Sequence, residues 1–288
     1  MTLITLENTN EKGERLLATF HPNKGMNMVS FKKEGLDVID QQTMPLFEER
    51  LAGLGPLIGP HFHHRAPFEI PLDFDTHLFP HIARVKKKGV VEPFSHGIAR
   101  YVPWRFDASS TQIEARLSSS DLFKGIPLRQ LEGMDFEMQL HIALMPFGLF
   151  IKYSVKSEKP SVIGLHTYYH LPDGKGKVDG NVVLNYRESE GLKPLPDSWH
   201  KNGRLNFDLS QEADFGFFPK EPLEESRFIF SNRNYDLHLF MQSDTSDCSF
   251  QIFRPAKSTY VCLEPLSSQT PRAPTRCESS LEIKLEIF

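Results

Sequence analysis

The amino-acid sequence predicts an all-β protein, a large antiparallel β-sandwich formed as one domain over residues 1–288. Three observations carry that expectation. Apolar and polar residues alternate with period two on both sides of a turn. Phe136, Met138, Leu140, Ile142 and Leu144 alternate with Glu137, Gln139, His141 and Ala143. Beyond Pro146-Phe147-Gly148, Leu149, Ile151, Tyr153 and Val155 oppose Lys152, Ser154 and Lys156. That pattern marks an antiparallel hairpin with one buried face. The chain also holds 21 Pro, 18 Gly and 23 Phe, a composition suited to many short strands joined by turns. Helical periodicity is scarce, and no glycine-rich phosphate loop follows a strand.

In chain order, Arg15 to Phe20 and Met26 to Phe31 form two strand-like runs around His21-Pro22-Asn23-Lys24-Gly25, a hairpin. Pro45 to Leu54 has room for one or two helical turns. Lys86-Lys87-Lys88-Gly89 is the only basic run and suits a charged hairpin turn. Ile113, Ala115 and Leu117 alternate as a strand ahead of the long hairpin. Leu209 to Phe215 suggests a second short helical turn. Leu281, Ile283, Leu285 and Ile287 close the chain as another strand. A division near Glu158-Lys159-Pro160 is the alternative to one domain, although no repeat or low-complexity linker marks it.

Composition narrows the function. A hydrophobic fraction of 39% and a charged fraction of 24% describe an ordinary soluble globular protein. A formal net charge of −4 gives no electrostatic footprint for nucleic acid or an anionic membrane, so a small molecule is the expected partner. Cys248, Cys262 and Cys277 are too few and too scattered for a disulfide framework or a zinc knuckle, and the odd count suits a reducing compartment. Met1 to Asn10 has no apolar signal core, and no window reaches 18 uncharged apolar residues. The expected location is cytoplasmic.

The candidate chemistry lies in one acid and three histidine clusters. Thr259-Tyr260-Val261-Cys262-Leu263-Glu264-Pro265 reads as a strand ending in a single carboxylate. An acid at the end of an apolar strand is partly desolvated, its pKa rises, and it can work near neutral pH. In Pro60-His61-Phe62-His63-His64-Arg65, an extended run would put His61 and His63 on one face. Such a pair can hold zinc or iron, or simply line a cleft, and no local Glu or Cys supplies a third ligand. In His96-Gly97-Ile98-Ala99-Arg100-Tyr101-Val102-Pro103-Trp104, the glycine permits a bend. Arg100 offers a planar fork of donors and Trp104 a flat apolar face, both suited to a sugar or a phosphate. If the run is extended, His96 and Arg100 share a face; the other reading of Arg100 is an ion pair with an acid such as Asp107. In Leu165-His166-Thr167-Tyr168-Tyr169-His170, the β-favouring residues place His166, Tyr168 and His170 on one face of a strand. No Glu follows His166 to make a metalloprotease motif.

Taken in order, these segments resemble the aldose 1-epimerase (galactose mutarotase-like) superfamily. Pro60-His61-Phe62-His63-His64-Arg65 resembles the segment that ends in a sugar-binding arginine, with His64 where the family commonly has Asn. His96-Gly97 matches the first active-site histidine, Leu165-His166-Thr167-Tyr168-Tyr169 the segment carrying the second, and Val261-Cys262-Leu263-Glu264-Pro265 the catalytic-glutamate segment. His-Gly-x-Ala-Arg followed by Trp, with Gly55-Pro56-Leu57-Ile58-Gly59-Pro60-His61-Phe62, is nearer the hexose-6-phosphate mutarotase-like branch. The substrate-binding Asp of the free-sugar branch has no match; Glu224-Glu225-Ser226-Arg227-Phe228 occupies its region.

The resemblance implies a β-sandwich that interconverts the α and β anomers of a hexose or hexose 6-phosphate by acid/base ring opening, with no cofactor and no metal. It gives Glu264 the base's part and His166 the acid's. His96 would hydrogen-bond around O1 or O5. Arg65, His64, Tyr168 and Trp104 would contact the sugar, and Arg100 would hold the phosphate. The alternative on the same scaffold is a non-catalytic carbohydrate-binding or regulatory module.

Overall fold

The structure, a computed structural model, describes residues 3–65, 81–82, 87–89, 92–189, 191–220 and 226–288. Among these residues two large antiparallel sheets dominate. A ten-stranded sheet runs, edge to edge, through His200–Lys201, Arg204–Asp208, Lys177–Gly180, Arg227–Ser231, Asp236–Ser243, Glu278–Ile287, Gly148–Ser157, Phe136–Met145, Gln112–Ser118 and Arg105–Ala108. An eight-stranded sheet runs through Gly191–Pro194, Val182–Glu188, Ala213–Pro219, Ser249–Arg254, Tyr260–Leu266, Gly164–Leu165 and Leu57–Ile58. Its eighth strand, Thr167–His170, also pairs with Tyr260–Leu266. The first strands, Ile4–Thr9, Arg15–His21, Asn27–Lys33 and Leu36–Asp37, form a smaller antiparallel sheet.

The alternation read from the sequence fixes the ladder registers. Phe136 pairs with Ser157 and Met145 with Gly148, and every residue between them stays in step. One face of this hairpin buries Met138, Leu140, Ile142, Ile151, Tyr153 and Val155, each worth roughly 1.5–3 kcal/mol when withdrawn from water. The two large sheets meet through aromatic pairs: Phe228 stacks on Phe250 at 3.7 Å between centroids, and Phe207 packs on Phe217 at 6.1 Å. The buried apolar side chains form one cluster from Ile4 to Ile287.

The helix expected between Pro45 and Leu54 is Met44–Arg50, with Pro45 in its first turn and Leu51 closing it at φ 57°. Leu209 to Phe215 differs from expectation: from Ala213 it is extended, pairing Ala213 with Arg254 and Phe215 with Ile252, because sheet pairing overrides the weak local pattern. Of the basic run, Lys86 lies outside the described residues and Lys88 pairs with Glu49 at 2.5 Å. Glu224 and Glu225 also lie outside the described residues. No helix among the described residues is long and apolar enough to cross a membrane.

Candidate active site

The strand Tyr260–Leu266 lies inside the eight-stranded sheet, with Ser249–Arg254 on one side and the two short strands around His166 on the other. Gly164 pairs with Leu266 and Thr167 with Leu263, so continuing the register places His166 directly opposite Glu264. Across the other edge Glu264 pairs with Gln251, Gln251 with Gly216, and Gly216 with Arg187. Antiparallel register partners project from the same face. His166, Glu264, Gln251 and Arg187 therefore form one row across the sheet. Gly216 is the gap in it: a Cβ there would stand 2.4 Å from Arg187 Nη2, so only glycine lets this guanidinium lie flat and reach Gln251 Oε1 at 3.1 Å.

Above this row is a cleft of about 670 Å³ lined by the row's four side chains together with His63, His64, His96, Arg100, Tyr168, Phe253 and Arg272, among others. Glu264 is 2% exposed, and its Oε1 stands 3.4 Å from His166 Nε2. Glu264 Oε2, His166 Nδ1 and Arg100 Nη2 are buried with no hydrogen-bond partner among the described residues. Unpaired buried polar atoms are costly unless something satisfies them, so this trio is poised for a polar ligand.

Burial pushes the Glu264 carboxyl well above its ordinary range, the Asp214 charge adds to this, and Arg100 and Arg187 oppose it. Burial also drives His166 well below the usual histidine value, helped by Arg100. The pair thus favours a carboxylic acid facing a neutral imidazole. His96 is lowered in the same way, by burial and then by Arg100 and His166, and His63 falls to about 4 through burial and the neighbouring His64.

The His96 turn is built from strained backbone. His96 and Gly97 have φ of 67° and 87°, and a Cβ on Gly97 would stand 1.9 Å from the carbonyl oxygen of Gly59. Two groups hold the turn from beneath. His61 Nδ1 donates to Glu132 Oε1 at 2.5 Å, while Nε2 accepts from the Gly97 N–H at 3.2 Å. Glu132 Oε2 accepts from the Ile98 N–H at 3.1 Å. On the other side the His63 N–H donates to His96 Nδ1 at 3.3 Å, which leaves the proton of a neutral His96 on Nε2 and makes that atom a donor. The ring stands edge-on to His166, 5.0 Å between centroids.

Of the residues named from the sequence, the structure brings Glu264, His166, His96, His64, Tyr168 and Arg100 to the cleft. Tyr168 stacks on His166 at 5.0 Å, and exposed His64 stacks on His63 at 4.0 Å. Arg65 is a correction. Its Nε and Nη2 pair with both oxygens of Glu92 (2.9 and 2.7 Å) and its Nη1 donates to the Leu131 and Glu132 carbonyls, so its donors serve the protein and not a sugar ring. Trp104 is another: it is 3% exposed, donates Nε1 to the Ala99 carbonyl and packs edge-on to Tyr153, inside the core.

Arg100 is the third correction. Ile98–Arg100 is a 3-10 turn, not extended, and Arg100 sits 3% exposed in the cleft floor with Nε donating to the Leu57 carbonyl. It does not reach outward from His96. The His61–His63 pair also fails to share a face, because His63 has φ 61° and both nitrogens of His61 are engaged. Sequence reasoning missed Arg187, Arg272, Gln251 and Asp214, and the supporting parts of Glu92 and Glu132. Only Gln251 had a legible signal, as the cross-strand partner of Glu264 in the hairpin turning at Pro255-Ala256-Lys257-Ser258.

No family model matches the chain, and no curated protein matches it either. Solved structures do. The GalM/aldose epimerase homologue from C. elegans is 13% identical with a TM-score of 0.69, covering 100% of this chain and 99% of its own. A galactose mutarotase-like protein from Clostridium acetobutylicum is 15% identical with a TM-score of 0.66, covering 99% and 98%. A galactose mutarotase-like protein from Lactobacillus casei is 14% identical with a TM-score of 0.65, covering 100% of both chains. Identity this low speaks for architecture alone, and coverage is end to end: the chain has the galactose mutarotase-like fold, a large antiparallel β-sandwich.

Proposed function

We propose that the protein is a mutarotase, an isomerase that interconverts the α and β anomers of a hexose by acid/base ring opening at Glu264 and His166. The observation that carries the reading is this pair, buried, 3.4 Å apart and facing a cleft, each member with one buried atom that has no hydrogen-bond partner among the described residues. Ring opening removes the proton from the C1 hydroxyl, returns one to the ring oxygen O5 and breaks the C1–O5 bond. A couple holding one proton suffices. Glu264 faces O1 and His166 faces O5. Opening starts from carboxylate and imidazolium, and ends with a carboxylic acid donating to the new aldehyde oxygen and a neutral imidazole accepting from the O5 hydroxyl. The second arrangement is the one that burial favours, so the resting couple is complementary to the open chain, the high-energy species on the path. The carbonyl turns over, and ring closure reverses both transfers. His96 donates from Nε2 to the oxygen that carries developing charge. No step requires a cofactor.

The substrate in this reading carries an anionic group, as a hexose 6-phosphate does. Arg50, Arg100, Arg187 and Arg272 line the cleft. Two of its acids are already paired, Glu92 with Arg65 and Glu188 with Lys193. Burial, and after it the charge of Arg272, lower Arg187 to about 10, so a negative charge brought into the cleft would be welcomed there. The anionic end belongs with Arg187 and Arg272, and Arg100 stays at the floor beneath the ring. One-dimensional proton NMR of anomer exchange, on glucose and glucose 6-phosphate, tests the proposal. Exchange accelerated on the phosphate more than on the free sugar is expected. Binding of either sugar without any acceleration would make the protein a carbohydrate-binding module instead.

A further inference from the structure

Cys262 has no part in that chemistry, yet it stands two residues before Glu264 on the same strand, so both side chains leave the same face. A ring nitrogen of His166, the Cys262 Sγ and a carboxylate oxygen of Glu264 lie within 4.8 Å of one another, and all three residues are buried. The 3.4 Å between His166 Nε2 and Glu264 Oε1 is already a ligand spacing: two donors about 2.1 Å from a tetrahedral ion stand about 3.4 Å apart. Only the thiol has to close in, by about 1 Å, to reach a Zn–S distance of about 2.3 Å. Glu264 Oε2 and His166 Nδ1, both without a hydrogen-bond partner among the described residues, are a second sign that the cluster is open to a further group.

We propose that His166, Cys262 and Glu264 bind Zn²⁺, and that the ion switches off the catalytic couple by occupying both its members. Imidazole, thiolate and a single carboxylate suit zinc, whereas magnesium and calcium need oxygen ligands. The thiolate and the carboxylate offset the two positive charges of the ion, their protons passing to solvent. Arg100 in the same cleft opposes a cation, so both negative ligands are needed. The fourth position opens on the cleft, through which His166 and Glu264 are reached, and takes water.

The inhibitory half rests on the mutarotase reading; the binding half does not. Chelator-treated whole protein is titrated with Co²⁺, whose bond to a thiolate gives a near-ultraviolet charge-transfer band, and zinc is then added to displace it. Wild type and Cys277→Ser, which lacks the exposed thiol, should show the band at one equivalent. Cys262→Ser should lose it and bind zinc at least about tenfold more weakly, the least expected given what losing a mere outer-shell partner does. No band in wild type, or a band that survives Cys262→Ser, overturns the site. Should Cys262→Ser fail to fold, His166→Asn decides on the same titration, and an unchanged spectrum and affinity overturn the site. In anomer exchange, zinc should inhibit wild type, a chelator should reverse this, and Cys262→Ser should resist. Equal zinc sensitivity in the two proteins overturns the inhibition. A wild type that never accelerates exchange sinks the mutarotase reading, while the cobalt spectrum still decides the metal site.

Discussion

Glu132→Gln isolates the support beneath the His96 turn. The carboxylate accepts from His61 Nδ1 and from the Ile98 N–H, while His61 Nε2 accepts from the Gly97 N–H. An amide has one acceptor where the carboxylate has two. If its oxygen stays with His61, its NH₂ meets the Ile98 N–H. If it flips, His61 must change tautomer, and its Nε2–H then meets the Gly97 N–H. In either case one buried donor is left without an acceptor, at about 1–3 kcal/mol, and a charge-assisted hydrogen bond becomes neutral, at about 1 kcal/mol. The sum is about 2–4 kcal/mol. At about 2–4 °C per kcal/mol for a chain of this size, the melting temperature should fall by roughly 4–16 °C. Relaxation of a turn held at positive φ also moves His96, and a displacement near 1 Å lowers a rate about a hundredfold. Calorimetry and NMR anomer exchange, with the exposed Glu137→Gln as control, measure both effects. A Glu132→Gln protein that melts and turns over like Glu137→Gln would refute the bracing argument.

Glu264→Gln should fold and lose anomer exchange by about a hundredfold or more, the scale of a lost acid/base group. It should also change the pH dependence of stability. A carboxyl raised on folding contributes stability fully below its unfolded pKa and loses it as pH rises through the folded one, so Glu264→Gln should gain on wild type toward alkaline pH, in urea unfolding at several pH values. The exchange rate of wild type should have a broad flat maximum. It should fall on the acid side only well below the usual histidine value, as His166 takes a second proton, and on the alkaline side only well above the usual carboxylate value, as Glu264 loses the single one; a narrow bell whose limbs lie at the ordinary carboxylate and histidine values would contradict this. Arg272→Ala should lower kcat/KM on glucose 6-phosphate by about tenfold and leave free glucose unchanged, and equal losses on both would remove the anion subsite. Arg65→Ala leaves Glu92 charged and buried, so it should destabilise by about 3–5 kcal/mol in denaturant titration; a loss under about 1 kcal/mol would return Arg65 to the sugar.

The fold was legible wherever one face of a strand is buried. The hairpin from Phe136 to Ser157 and the closing strand Glu278–Ile287 follow the period-two reading, because a one-residue slip there would expose a whole apolar row. The Ala213–Pro219 strand was missed because its first residues were read as part of a helical turn from Leu209 to Phe215, and only pairing with Ser249–Arg254 sets them extended. Glu264 and His166 were singled out from short local segments, and the flanking strand register sets them face to face at the cleft. Arginines were the weak point. A sequence shows that Arg65 has donors but not that Glu92, 27 residues away, consumes them. Assuming an extended chain from His96 to Arg100 also failed, since two left-handed residues followed by a 3-10 turn send Arg100 under the cleft. Arg187 and Arg272 belong to no motif; their meaning comes from lining the same cleft, Arg187 lying over Gly216.

Because the register of the flanking strands sets His166 opposite Glu264, their separation follows from the sheet, not from a loop that closes over the cleft. Sheet neighbours do not part and rejoin within a turnover, so under the proposed mutarotase activity the motion that inverts the anomeric centre has to be made by the sugar. The opened aldehyde must swing while the rest of the molecule stays anchored. A cleft that gripped every hydroxyl would forbid that swing. Shape is therefore a poor instrument of choice for this site, and sugars that differ only in the configuration of hydroxyls far from C1 should be handled alike. Selectivity is left to charge at the mouth, where Arg187 and Arg272 can hold one end of the substrate still while the other end turns over.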